Sequence, residues 1–383
     1  MSAVLLALIL LAAGLLAHLQ LADARRVPRH VTPSGRADTV SVIIPARNES
    51  ATLPMLLASL QCLTTAPREV LVVDDCSDDG TSEVAHAGGA TVIQATTPPP
   101  GWTGKAWACH QGVAAASGST LLFLDADTTF EPDALDGLLT LLDQEGGLVS
   151  AQPYHRAVQA YEQLSAYFNV MSLLACGAVA RRRPRHPMAF GPVLLTSRED
   201  YERAGGHSVV RAEVLDDARL AAAYDRADMP VRCVLGGQAV RMRMYPGGPR
   251  QLVEGWTKNI ASGAAAADRW SALAAGLWVA SHWAVTVGAV LSVVAVVHGG
   301  PVPLVQGPPA LWVAGWLGVT LQLRAMLRRV GSFRWWTWAL FPVPLLAFSL
   351  LFARSVLLTS VRREVTWRGR PIATGRSPRG EVR

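Results

Sequence analysis

The spacing of apolar positions divides the chain into three stretches. From Ala3 to Leu21 nearly every residue is Leu, Ala, Val or Ile. At 1.5 Å per residue that run is long enough to cross a hydrocarbon core of roughly 30 Å. From Val40 the apolar residues come in short runs separated by polar turns. Val40–Ile44, Glu69–Val73, Thr91–Gln94 and Thr120–Leu124 read as buried strands, and Ser50–Gln61, Ser82–Ala87 and Ala106–Ala116 read as the helices between them. Strand and helix in alternation give βαβ units and a mostly parallel α/β sheet, in which ligands gather beyond the carboxyl ends of the strands. After Asp268 the chain turns apolar again, in blocks Trp270–Val297, Ala310–Leu327 and Trp336–Val361.

The blocks and the charges at their edges set the expected domains: a transmembrane anchor at 1–24, an α/β domain at 38–260, a membrane region at 270–361 and a basic tail at 362–383. Ala22-Asp23-Ala24 has the small-x-small form of a signal-peptide cleavage site. No Lys or Arg precedes the first block, however, whereas Arg25, Arg26, Arg29 and Arg36 follow it, which favours an uncleaved anchor with the next domain held in the cytoplasm. The loop His298–Pro309 lacks Lys and Arg, and Arg328, Arg329 and Arg334 follow the next block, placing the first loop outside and the second inside. A single crossing by Trp336–Val361 would leave Arg362, Arg363, Arg368 and Arg370 outside, against the same rule. Pro342 and Pro344 permit a re-entrant or broken helix that keeps the tail inside, and the two topologies stay open. Near 164–180, the run Leu164–Ala180 is apolar but carries Asn169 and Ser172 and ends in Arg181-Arg182-Arg183. It reads as a helix lying at the membrane surface, with a buried core helix as the alternative.

The net charge of +6 does not imply a nucleic-acid polymer as partner, because clusters such as Arg181–Arg183 with Arg185 lie beside apolar segments, where anionic headgroups and positive-inside topology explain them. Five cysteines, an odd number without metal-ligand spacing, point away from a closed disulfide framework.

Four polar motifs follow the predicted strands. Pro45-Ala46-Arg47-Asn48-Glu49 ends the first strand at a helix start, where polar side chains can hold a nucleobase and ribose; an ordinary helix cap has the same look. Val72-Val73-Asp74-Asp75 runs into a Ser/Asp/Gly turn, so a carboxylate at the strand end can accept from a base N–H, or else merely cap the following helix. Lys105 lies in a Gly-Lys pair before a helix and can offset diphosphate charge, although the glycine spacing of a Walker loop is missing. Leu-Leu-Phe-Leu then feeds Asp125-Ala126-Asp127. Two carboxylates one residue apart at the end of a buried strand are costly without a cation, and hard oxygen ligands beside a pyrophosphate suit Mg²⁺ or Mn²⁺.

In this order the motifs resemble the nucleotide-binding half of a family 2 glycosyltransferase with the GT-A fold. The likeness covers about residues 38–260 and continues through Gly191–Thr196, Tyr201–His207 with Gly205-Gly206, and Glu213–Leu220. It implies an inverting transfer from a nucleotide-diphosphate sugar, with Asp217 as base, Asp216 standing where Glu is usual, and the metal on Asp127 with Asp125 nearby. It also implies nucleotide-sugar contacts at Pro45, Ala46, Arg47, Asn48, Glu49, Asp74, Asp75, Lys105 and Asp125. The Gln-x-x-Arg-Trp element of polysaccharide synthases is broken, because Gly255 precedes Trp256. Glu254-Gly255-Trp256-Thr257-Lys258-Asn259 and Val365–Arg370 are instead similar to bacterial enzymes that glycosylate isoprenoid lipids, of the carotenoid (diaponeurosporenoate) and hopanoid-associated types. The expectation is therefore a multi-pass cell-membrane enzyme with a cytoplasmic catalytic domain and a lipid acceptor received near Trp256 and Lys258. A processive β-glycan synthase and a non-enzymatic nucleotide-binding membrane scaffold are the alternatives.

Overall fold

A computed structural model describes residues 12–15, 17–19, 21, 24–33, 35–177, 187–213, 216–266, 268–298, 308–362, 364–367 and 370–373. Most of the first apolar block, Arg181–Arg183 with Arg185, residues 214–215, the interior of the loop after the first C-terminal block and the end of the tail lie outside those residues.

The α/β reading holds. In chain order the first half comprises β1 (Val40–Ala46), α1 (Leu53–Gln61), β2 (Glu69–Asp74), α2 (Thr81–Ala87), β3 (Thr91–Gln94), α3 (Gly104–Ala115), β4 (Thr120–Leu124), β5 (Thr128–Phe130), α4 (Ala134–Glu145), β6 (Leu148–Gln152) and β7 (Tyr154–His155). Then come α5 (Ala166–Cys176), β8 (Val193–Ser197), α6 (Arg198–Arg203), α7 (Asp216–Arg226), β9 (Val231–Leu235), β10 (Val240–Met242) and α8 (Pro249–Ala266). One sheet runs in the order β3-β2-β1-β4-β8-β6-β9, and β5-β10-β7 form a smaller one. The strands β3, β2, β1 and β4 pair in parallel, with Ile43 opposite both Leu71 and Phe123, while β8 is antiparallel to β4 and β6. Side chains alternate faces along a strand. Val42 and Ile44 accordingly join the core under α1 and α4, and Ile43 joins the core under α3 and α7.

A third apolar cluster joins the catalytic domain to the C-terminal helices α9 (Arg269–His298), α10 (Pro309–Val330), α11 (Trp335–Ala339) and α12 (Pro342–Arg362). Of these, α9 and α10 are long and apolar enough to span a bilayer, with mean hydropathy 1.9 and 1.3. The third block is divided: α11 stops at Ala339, the Ala339 carbonyl is capped by Trp316 Nε1 at 3.1 Å, and α12 restarts at Pro342, where proline's missing N–H costs nothing. Its apolar stretch, Pro342–Leu358, is shorter than those of the other two. Beyond it β11 (Glu364–Trp367) pairs with β12 (Arg370–Ala373).

The surface-helix reading of 164–180 is corrected over 164–177, residues 178–180 lying outside the described ones. A 3-10 turn at Tyr161–Ser165 leads into α5, whose Tyr167, Phe168, Val170, Leu173 and Leu174 are buried. They pack in the cluster shared with α8, α9, α10 and α12, so the face expected to meet lipid meets those helices instead. Asn169, the polar residue that suggested an interface, is turned inward, donating to the Ser165 carbonyl at 2.9 Å and lying 3.0 Å from His155 Nδ1. The described part of the N-terminal run joins the same cluster through Ala17 and Leu21. Its carbonyls accept from α10: Gly14 from Gln322 Nε2 at 2.5 Å and Leu21 from Arg329 Nη1 at 3.1 Å.

Candidate functional site

Four chain segments meet at the carboxyl edge of β1 and β4. The fully buried β4 delivers Asp125 at its end, where the Asp125 N–H donates to the Pro192 carbonyl at 3.0 Å and thereby ties the Asp-x-Asp turn to the Gly191-Pro192 turn before β8. Lys105 comes from the first turn of α3 and Asp216-Asp217 from the first turn of α7. Together with Pro45 and His207 these residues line one cavity.

Lys105 Nζ donates to Asp125 Oδ1 at 2.8 Å. Burial opposes its charge, but Asp125 and Asp216 outweigh that and hold the ammonium well above its ordinary pKa. A Cβ on Gly191 would lie 3.2 Å from Asp217 Oδ2 and 3.3 Å from Lys105 Nζ, so the glycine packs closely against both charges. Asp217 accepts from the Gly191 N–H at 2.8 Å and from the Ala218 N–H at 2.7 Å. Burial, then the neighbouring Asp216, raise its carboxyl to about 6, with Lys105 pulling the other way. At neutral pH it remains an anion with two fixed donors and some residual basicity, which suits a general base.

Asp127 differs from its neighbour. Its Oδ1 is buried without a hydrogen-bond partner among the described residues, and burial, Asp125 and Glu49 raise its carboxyl to about 7. An orphaned buried carboxylate oxygen between two other acids is what a cation site looks like without its cation. Among the described residues no group of three or more His, Cys, Asp and Glu could hold a metal by themselves. A divalent ion on Asp127 and Asp125 would therefore draw further oxygen ligands from a bound diphosphate, as Mg²⁺ and Mn²⁺ do at phosphate sites.

The two nucleoside-side motifs brace one another. Asn48, at φ +53, donates its N–H to Ser77 Oγ at 2.9 Å and accepts from the Asp78 N–H at 3.0 Å; the Glu49 N–H donates to Thr81 Oγ1 at 2.9 Å. Asp74 is buried with both oxygens turned into its own loop, accepting from the Ser77 N–H and the Ser82 hydroxyl. Asp75, 3.3 Å from Arg47 Nη1, lies against Gly104, where any Cβ would overlap its Oδ2. Asp74 thus shapes the loop, while Asp75 and Arg47 form a charged pair beside α3. Pro45 lines the cavity and Ala46 accepts from the Asp75 N–H at 2.8 Å.

Trp256 is corrected. It is 6% exposed, one face stacks on Phe168 at 4.6 Å, and Nε1 donates to Ser165 Oγ at 2.9 Å, so no free face remains for a sugar. Lys258 lies half-buried on the same helix. Gly255 leaves room for Tyr245, because a Cβ there would overlap the ring. Tyr245 has φ +58, unusual for a bulky residue, and its hydroxyl accepts from Asn259 Nδ2 at 2.9 Å. It follows β10, and between the two the Arg243 N–H donates to the Asp127 carbonyl at 3.3 Å. The Gly255-Trp256-x-x-Asn259 motif is thereby a clamp on Tyr245 near the acidic turn, a role no sequence spacing announced. His207, at the end of the Tyr201–His207 element, is likewise a cavity residue whose place no motif announced.

Residues 41–216 match the family described as Glycosyl transferase family 2. Over 339 residues the chain is 35% identical to the 4,4'-diaponeurosporenoate glycosyltransferase of Staphylococcus aureus (strain USA300), covering 86% of this chain and 87% of that protein. The protein of the same name from strain MRSA252 is 34% identical over the same coverage. In fold the chain resembles a mannosyltransferase from Pyrobaculum calidifontis solved in complex with GDP-Man and Mn²⁺, with TM-score 0.51 and 21% identity over 91% of this chain and 99% of that one. With its motifs in register on a GT-A sheet and a relative this similar along most of its length, the chain belongs to glycosyltransferase family 2.

Proposed function

We propose that this glycosyltransferase, which uses a nucleotide-sugar donor, passes the sugar with inversion to an isoprenoid lipid taken from the membrane, by a reaction on the cytoplasmic side. The observation that carries the reading is the meeting of Asp125 with Lys105, Asp216 and Asp217 around one cavity, with the buried Asp127 two residues beyond Asp125, at the end of a domain packed on apolar helices. The relative's name specifies a carotenoid carboxylate as that protein's acceptor, which supports the lipid class.

Asp127, with Asp125, would hold Mg²⁺ or Mn²⁺. When bound, the ion offsets charge developing on the departing diphosphate. Lys105, now on Asp125, is placed to bond the diphosphate oxygens once the donor arrives. Asp217, fixed by two backbone N–H groups, accepts the proton of an acceptor hydroxyl as that oxygen bonds the anomeric carbon and the bond to the diphosphate breaks. Arg47, Asn48, Glu49, Asp74 and Asp75 would build the nucleoside end, Arg47 and Asp75 by contact and Asp74 by shaping its loop. Lys258 would stand at the acceptor entry, beside helices that keep water from the apolar part of the lipid. The Tyr245 ring occupies the space that an arginine at 255 would need, which weighs against a processive synthase.

The test supplies labelled nucleotide sugars to membranes containing the protein and identifies products by mass spectrometry. A chelator-sensitive glycolipid of discrete mass is expected. A polymeric product, or none with any donor, would reject the reading.

A further inference from the structure

We propose that His207 contacts the substrate, its Nε2–H donating a hydrogen bond to a hydroxyl of the sugar being transferred. The inference rests on the nucleotide-sugar reading of the same cavity and adds a specificity-determining residue to it.

The local chain is built to present this ring. Gly205 and Gly206 have φ +83 and +54, conformations that L side chains rarely adopt, and a Cβ on Gly206 would overlap Tyr201. The double glycine folds the chain back so that Tyr201 and His207, six residues apart, face each other. The Tyr201 hydroxyl accepts from the His207 N–H at 2.9 Å and lies 2.8 Å from Nδ1. Its single hydrogen has no other acceptor among the described residues, so it is donated to Nδ1. A ring nitrogen that accepts carries no proton, and the neutral imidazole therefore has its hydrogen on Nε2. Phe123, its ring centroid 4.9 Å away, holds the imidazole in place.

What Nε2 meets follows from the surroundings. The ring is 2% exposed, lines the cavity with Lys105, Asp125, Gly191, Asp216 and Asp217, and has no hydrogen-bond partner at Nε2 among the described residues. Burial, with Lys105 and His110 against the pull of Asp216, lowers its pKa to about 4, so the ring stays neutral at working pH. Neutrality matters here. A Lys or Arg in this place would pair with Asp216 or Asp217 and weaken the base, whereas an uncharged N–H leaves the base alone and still gives a hydroxyl its donor. The cavity's other side-chain polar groups are carboxylates, Lys105 on Asp125, and the Cys109 thiol, which is only a weak donor. A sugar hydroxyl entering it needs a donor, and His207 supplies one.

The test measures kcat/KM of the full-length protein in membranes. Wild type is assayed with UDP-glucose and GDP-mannose, and monodeoxy analogues are made of whichever it consumes. His207→Ala is expected to lose about 3- to 10-fold on the complete sugar, the worth of one neutral hydrogen bond, and to lose nothing further on the single analogue lacking the bonded hydroxyl. His207→Gln should recover part of the loss. Tyr201→Phe, which keeps the ring in place but frees the tautomer, should show a smaller loss with the same analogue pattern. An equal loss on every analogue, or none on the complete sugar, would overturn the contact. Failure of wild type to consume these or any other nucleotide sugar would reject the donor assignment and this contact with it, and is distinguished by appearing before any substitution is made.

Discussion

Asp127 keeps a buried oxygen without a partner among the described residues, whereas Asp125, two residues earlier, has Lys105. Removal of the Asp127 charge should abolish transfer, and chelation of wild type should do the same, with Mn²⁺ or Mg²⁺ restoring wild type alone. Full turnover in chelator would refute the cation's place. Stability should move oppositely. Because the folded-state carboxyl titrates at about 7 rather than near 3.8, the cation-free fold loses stability as pH rises between those values. Asp127→Asn should therefore melt no lower than chelated wild type at pH 8. Asp217 gives the second residue-level expectation. A base with a carboxyl near 6 is protonated and inactive below that pH, so kcat/KM should fall about tenfold per unit on the acid side and level off above it. With a hydroxyl acceptor Asp217→Asn should cost about 10² to 10⁴ in rate. With a carboxylate lipid, already an anion, the cost should be much smaller; equal rates for both proteins on both acceptors would remove Asp217 from the chemistry. At this scale the meeting of Asp125 and Lys105 was legible because strand ends and helix starts bring acids and cations to one edge, whereas Asp217 was reached only through the family likeness of its acidic pair. The inward turn of Asp74 and the Tyr201–His207 pair were not, since each depends on how a loop folds back on itself.

Elements were legible where their period was clean. All four predicted strands and the helices between them appear within a few residues of their expected bounds. The reading failed at α5, because the same apolar run with one Asn suits a membrane surface and a domain interface equally, and only the packing of α9 and α12 decides between them. It failed for Trp256 for a similar reason: helical spacing does not say which neighbour takes the indole. Trp256→Ala should cost about 3 to 5 kcal/mol, because it empties the contact between α8 and α5. KM for the nucleotide sugar should be unchanged, and a selective rise in that KM would return Trp256 to the binding site. Gly255→Arg, which rebuilds the Arg-Trp pair of processive enzymes, should lower the melting temperature by displacing Tyr245 and should yield no polymer.

For the whole molecule the sequence separated a sheet domain from an apolar end, and the break between α11 and α12 was foreshadowed by Pro342 and Pro344. Which side of the membrane holds the domain follows, in our proposal, from the arginines after the first apolar run. Cys62 and Cys76 are exposed on that domain, whereas Cys109, Cys176 and Cys233 are buried, so the natural protein carries its own reporters. A membrane-impermeant maleimide should leave intact cells unlabelled and modify the protein after permeabilisation; labelling of intact cells would invert the topology. The bonds from Gln322 to Gly14 and from Arg329 to Leu21 each join positions 308 residues apart. At synthesis rates of about 5–20 residues per second, α10 emerges about 15 to 60 s after the segment it must grip. The sheet domain is complete during that interval, while the first segment and the part of α5 that packs on α10 wait for their partner. Ribosomal stalling or truncation just before α10 should therefore leave a folded domain with a sticky underside, the form of this protein that chaperones and proteases would recognise first.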